Sequence, residues 1–169
     1  MRSKKHPPGH AMRQLPIQAE NEQTYEPATD WSLSYAMARQ HAGWAVDDIR
    51  NHNYIEALYN YHIVLQLIIE ALVYTYTGKI PSADSVHILL HECDAFCSLR
   101  TTFFPGDTPE EMELLAALEQ AYKTDGLHTA IPVNATMAAT LGIRVNKIMT
   151  LATELYKTKV GAAPAANTK

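Results

Sequence analysis

The chain of 169 residues holds only two cysteines, Cys93 and Cys97, too few for the disulfide framework of a small secreted domain. Positive charge is also scarce. Fourteen Lys and Arg stand against eighteen Asp and Glu, and the net charge of −4 excludes a strongly basic protein that coats nucleic acid. No long unbroken apolar run occurs: the longest, 63–72, is interrupted by Gln66 and Glu70, so no membrane span is expected. The first twenty residues carry four basic side chains and no apolar stretch, so no secretory signal is expected. Glycine-rich phosphate loops, serine nucleophile elbows and metalloprotease helix motifs are all missing. These absences leave a soluble, cytoplasmic, single-domain protein as the expectation, long enough to bury one sizeable core.

What is present is helical periodicity, divided by proline. Four of the nine prolines lie at 7, 8, 16 and 27, which marks 1–27 as a flexible arm; 161–169 (GAAPAANTK) reads as a tail. The domain is expected over 28–160. Within it, Trp31, Tyr35, Ala38, Ala42, Ala45 and Ile49 recur every three or four residues after Thr29 or Asp30, either a suitable N-cap. Tyr54, Leu58, Tyr61, Leu65, Ile68, Leu72 and Tyr76 do the same until Gly78 and Pro81 stop the helix. A third helix is expected from 82–84 to Cys97. A fourth follows Thr108-Pro109-Glu110-Glu111 as far as Tyr122, and a fifth spans 135–157. Five helices without a strand pattern predict an all-α, mostly up-and-down antiparallel bundle. Leu33, Met37, Trp44 and Val46 lie off the first helix's stripe, and Ile55, Ile63 and Ile69 off the second's. Either the other helices cover these faces or a second subunit does.

Candidate chemistry centres on histidine. His87 and His91, one helical turn apart, have the spacing of a metal-binding pair, and Cys93 and Cys97 repeat it. Positions 91 and 93 point roughly 160° apart on a helix, so the two pairs cannot share one ion. No metal or cofactor is expected, with His87 and His91 the only weak metal candidates. His62, inside the most apolar helix, reads as a core or interface histidine satisfied by a backbone group or a carboxylate. Asp47 and Asp48 point about 100° apart, a poor acid–base pair.

The segments YIEALYNYHIVLQLIIEALVYTYTG (54–78), SVHILLHECDAF (85–96) and LLAALEQAYKTDGLH (114–128) together resemble the HEPN domain family, most closely the HEPN domains associated with bacterial nucleotidyltransferases. The matching features are His62 in mid-helix, the Thr77-Gly78 stop, His87 opening the third helix, FPGD at 104–107 and the closing Ala121-Tyr122. The resemblance spans about 30–158. It implies a five-helix bundle, often a homodimer, that cleaves RNA as a toxin, partners a nucleotidyltransferase, or binds a nucleotide or RNA. It also implies His62, His87, Tyr122, Lys123 and His128 as ligand-binding positions. Active nucleases of the family pair an Arg with a His four to six residues on, an Arg clamping phosphate beside a His that moves a proton. Here the usual Arg-Tyr is replaced by Gly126-Leu127, and Lys123 with His128 is the nearest substitute, a pair that lacks Arg's bidentate grip. The expectation is therefore a stand-alone, non-catalytic module. Two alternatives remain: a toxin–antitoxin ribonuclease using Lys123 and His128 or another Arg such as Arg100, and a structural partner of a separate nucleotidyltransferase.

Charge is unevenly spread. Residues 1–19 carry Arg2, Lys4, Lys5 and Arg13 with no acid, whereas 28–159 carry nine basic and fifteen acidic residues, a net −6. The domain surface is thus too acidic to grip RNA by general electrostatics, which favours a small local site or a protein partner.

Overall fold

The computed structural model describes residues 29–162, and the expected arm at 1–27 and residues 163–169 of the expected tail lie outside them. The described residues form six helices and no strand: α1 (Trp31–Arg50), α2 (Tyr54–Thr77), α3 (Val86–Cys93), α4 (Leu99–Phe103), α5 (Pro109–Lys123) and α6 (Ala135–Gly161). The all-helical class matches the sequence expectation, but the helix count does not. The third helix ends at Cys93 rather than Cys97, and a separate five-residue α4 follows it. The last helix also runs further than expected, to Gly161.

Short polar side chains open most of these helices by satisfying backbone N–H groups that have no partner within the helix. Asp30 accepts from the Leu33 N–H at 3.2 Å, Thr108 from Glu111 at 3.3 Å and Asn134 from Met137 at 3.0 Å. Gly78 ends α2 in the left-handed conformation at φ 71°, where a residue with a Cβ would be strained.

The central element is α2. It packs against α1, α3, α5 and α6, and Leu58, Leu65, Ile68, Ile69 and Leu72 are fully buried along it. Burial of each such side chain contributes about 1.5–3 kcal/mol. By length and composition α2 is apolar enough to cross a membrane, contrary to the expectation that no segment is, but most of it is buried inside the bundle. The off-stripe residues Ile55 and Ile63 are partly covered and Ile69 fully, whereas Trp44 and Val46 on α1 remain exposed.

One close approach depends on glycine. A Cβ at Gly142 of α6 would lie 2.5 Å from the Tyr61 hydroxyl, so the Tyr61 side chain of α2 holds its place against α6 because position 142 has no side chain. Elsewhere, Arg144 of α6 makes a bidentate pair with Glu111 of α5 and donates to the Phe103 carbonyl at 2.7 Å, tying α4, α5 and α6 together. That pairing holds the Glu111 carboxyl below the usual carboxylate range.

Candidate functional site

The bundle's apolar centre contains one histidine. His62 has no solvent exposure, and neither ring nitrogen has a hydrogen-bond partner. Buried imidazoles without partners are uncommon, because desolvating a polar group without replacing its hydrogen bonds is costly. The ring stacks on Tyr122 at a centroid distance of 3.9 Å and 9° between planes, and Tyr59 continues the ladder beyond Tyr122 at 6.2 Å. Its Nε2 faces Glu119 Oε2 at 3.6 Å.

Glu119 links this histidine to the start of α3. Its Oε1 accepts from the Ser85 hydroxyl at 3.0 Å and from the His87 backbone N–H at 3.1 Å. A carboxylate at a helix N-terminus is favoured by the exposed N–H groups and by the helix dipole. Burial opposes the Glu119 charge, but His62, the His87 N–H and the Ser85 hydroxyl outweigh it and hold the carboxyl below its usual range. On the far side of Tyr122, Gln66 donates to Glu70 at 2.9 Å. Burial raises the Glu70 carboxyl and the Tyr122 hydroxyl above their ordinary values.

The cluster opens onto a cleft of about 440 Å³, a size suited to a small organic ligand. Glu119, His87, Arg100 and Glu111, the last paired with Arg144, supply its polar groups, and Phe104, Met112 and Leu115 its apolar wall. Arg100 Nε donates to Asp94 at 2.6 Å, and Asp94 also faces His91 Nδ1 at 3.5 Å. The anchored guanidinium keeps its two terminal nitrogens for other acceptors.

Three of the five sequence candidates therefore come together: His62 and the His87 backbone N–H meet at Glu119, and Tyr122 joins by stacking on His62. The other two do not join them. Lys123 and His128 are exposed at the end of α5 and in the loop after it, and the hydrogen bonds that His128 makes among the described residues run from its backbone to the Thr124 hydroxyl. Gly126 sits between them at φ 75°, buried, with its Cβ position 3.3 Å from the Tyr59 Cβ. That geometry suits glycine and strains any larger residue. The rings of His87 and His91 lie 4.7 Å apart, but among the described residues no group of three potential ligands could hold a metal.

Glu119 was absent from the sequence candidates. A lone acid on an amphipathic helix reads as solvated, and its partners Ser85 and His87 lie more than thirty residues away. Comparison with protein-family models, curated proteins and solved structures returned no match, so the functional argument rests on the site itself.

Proposed function

We propose that the chain is a HEPN-like helical module that binds a nucleotide, free or within RNA, in the cleft between α3, α4 and α5, and that it acts as a homodimer without catalysis of its own. The carrying observation is that Glu119 and His87, which line the cleft, are also the outer members of the buried His62–Glu119–His87 cluster, so an apolar wall and charged and polar groups converge on one volume. A nucleobase fits against Phe104, Met112 and Leu115, with its amino edge donating to Glu119 and its phosphate reaching the terminal nitrogens of Arg100. Exposed Trp44 and Val46 on α1 support a docking surface for the second subunit. The ribonuclease alternative has less support, because Lys123 and His128 are solvent-exposed and Gly126 occupies the place of the family's arginine.

Thermal unfolding with the four ribonucleoside monophosphates and a short single-stranded RNA tests this reading. One nucleotide is expected to stabilise the fold, by about 2.7 kcal/mol at a hundredfold excess over its Kd. RNA should remain intact during incubation. The absence of any stabilising nucleotide, or RNA cleavage abolished by K123A or H128A, would overturn it.

A further inference from the structure

The two cysteines occupy one turn of backbone. The Cys97 N–H donates to the Cys93 carbonyl at 2.8 Å, an i to i−4 bond that continues the helical path past the end of α3. Helical rise puts Cα atoms so spaced about 6 Å apart, inside the range a disulfide spans. Their environments differ. Cys93 is fully buried, Cys97 is partly exposed, and both are free thiols. Helix α3 has already ended, so residues 94–96 form turns rather than continuous helix and can adjust when the sulfurs close.

We propose that Cys93 and Cys97 form a reversible dithiol site that reacts with hydroperoxides, Cys97 as the attacking thiol and Cys93 as the resolving one. The neighbouring Cys93 thiol lowers the Cys97 thiol to about 7, with help from the Leu99 backbone N–H. The same neighbour, together with burial, pushes the Cys93 thiol up. One sulfur is thus substantially thiolate near neutral pH while its neighbour stays protonated.

The chemistry balances. The Cys97 thiolate attacks a peroxide oxygen; the S–O bond forms as the O–O bond breaks, and the departing alkoxide or hydroxide takes a proton from water. Cys97 is then a sulfenic acid. The Cys93 sulfur attacks it, the S–S bond forms as the S–O bond breaks, and the Cys93 proton leaves with the hydroxyl as water. Two thiols and one hydroperoxide give one disulfide, one alcohol or water, and one water. A disulfide closed over a single turn is strained, which makes it readily reducible. The same turn carries Asp94, which anchors Arg100.

Hydrogen peroxide added to the full chain, followed by intact mass and thiol titration, provides the test. The wild type is expected to lose two hydrogens and both titratable thiols, and to regain them with dithiothreitol. C97A should resist oxidation, because the remaining thiol is fully buried. C93A should stop at oxygen adducts on Cys97. Three results would overturn the proposal: thiols that survive peroxide, wild-type Cys97 oxidised to sulfinic acid as readily as in C93A, or a disulfide formed only between chains. If either variant fails to fold, peptide mapping of the oxidised wild type separates the same outcomes.

Discussion

Removing the Glu119 side chain is the most informative perturbation of the bundle. Glu119→Ala deletes two hydrogen bonds from a charged acceptor, to Ser85 at 3.0 Å and to the His87 N–H at 3.1 Å. Bonds to charged groups contribute about 1.5–3 kcal/mol each, and water from the cleft would re-solvate part of the orphaned N-terminus. The lower end applies, so the expected loss is about 2–3 kcal/mol, or roughly 6–12 °C in Tm for a domain of this size. The pH dependence adds a second signature. Because the folded Glu119 carboxyl lies below its ordinary value of 4.5, its contribution is present above that value and is lost as pH falls through the folded value. Urea unfolding followed by circular dichroism should therefore show the full gap between wild type and variant at pH 7, and a gap that narrows as the pH is lowered below the ordinary carboxylate range. E119Q, which keeps an acceptor oxygen, should recover part of the stability without the pH dependence. A gap under about 0.5 kcal/mol at pH 7, or one that does not narrow in acid, would refute the role assigned to Glu119.

His62→Leu trades an imidazole without hydrogen bonds for an apolar side chain but also removes the group facing the Glu119 carboxylate at 3.6 Å, so the two effects should offset to within about 1 kcal/mol in urea unfolding; calorimetric titration should show weakened nucleotide binding by the same variant. Gly142→Ala drives a methyl into the Tyr61 hydroxyl and should cost about 1–3 kcal/mol in urea unfolding, with partial recovery on adding Tyr61→Phe. Gly126→Arg places a large side chain at a position with φ 75° against Tyr59; it should cost about 1–3 kcal/mol in urea unfolding, and gel assays should show no gain in RNA cleavage.

Much of the fold is legible along the chain because local rules and packing agree there. The caps at Asp30 and Thr108, the stop at Gly78 and the apolar periodicity of α1, α2, α5 and α6 locate those helices to within a few residues. Helix α3 is misread at its end for a physical reason. Phe96 and Cys97 continue the apolar spacing, but the chain beyond Cys93 turns, and Phe96 reaches the core by stacking on Tyr76 at 4.3 Å. Part of the site is legible too. A histidine in an apolar helix draws attention, and a carboxylate partner was among the expected ways to satisfy it. Neither the identity of Glu119 nor the lack of any hydrogen bond to the ring follows from one strand of sequence, because both depend on how α3 and α5 meet over α2. Lys123 and His128 show the converse: four residues of spacing places them near one another in the chain, while the tight turn at Gly126 leaves both in solvent.

The central claim is that ligand binding converges on the buried histidine cluster. Its most direct test follows the imidazole resonances of His62, His87 and His128 by nuclear magnetic resonance during titration with the stabilising nucleotide. Saturable shifts at His62 and His87 with His128 unmoved are the expected result. Shifts confined to His128, or a silent His62 and His87 at saturation, would contradict it.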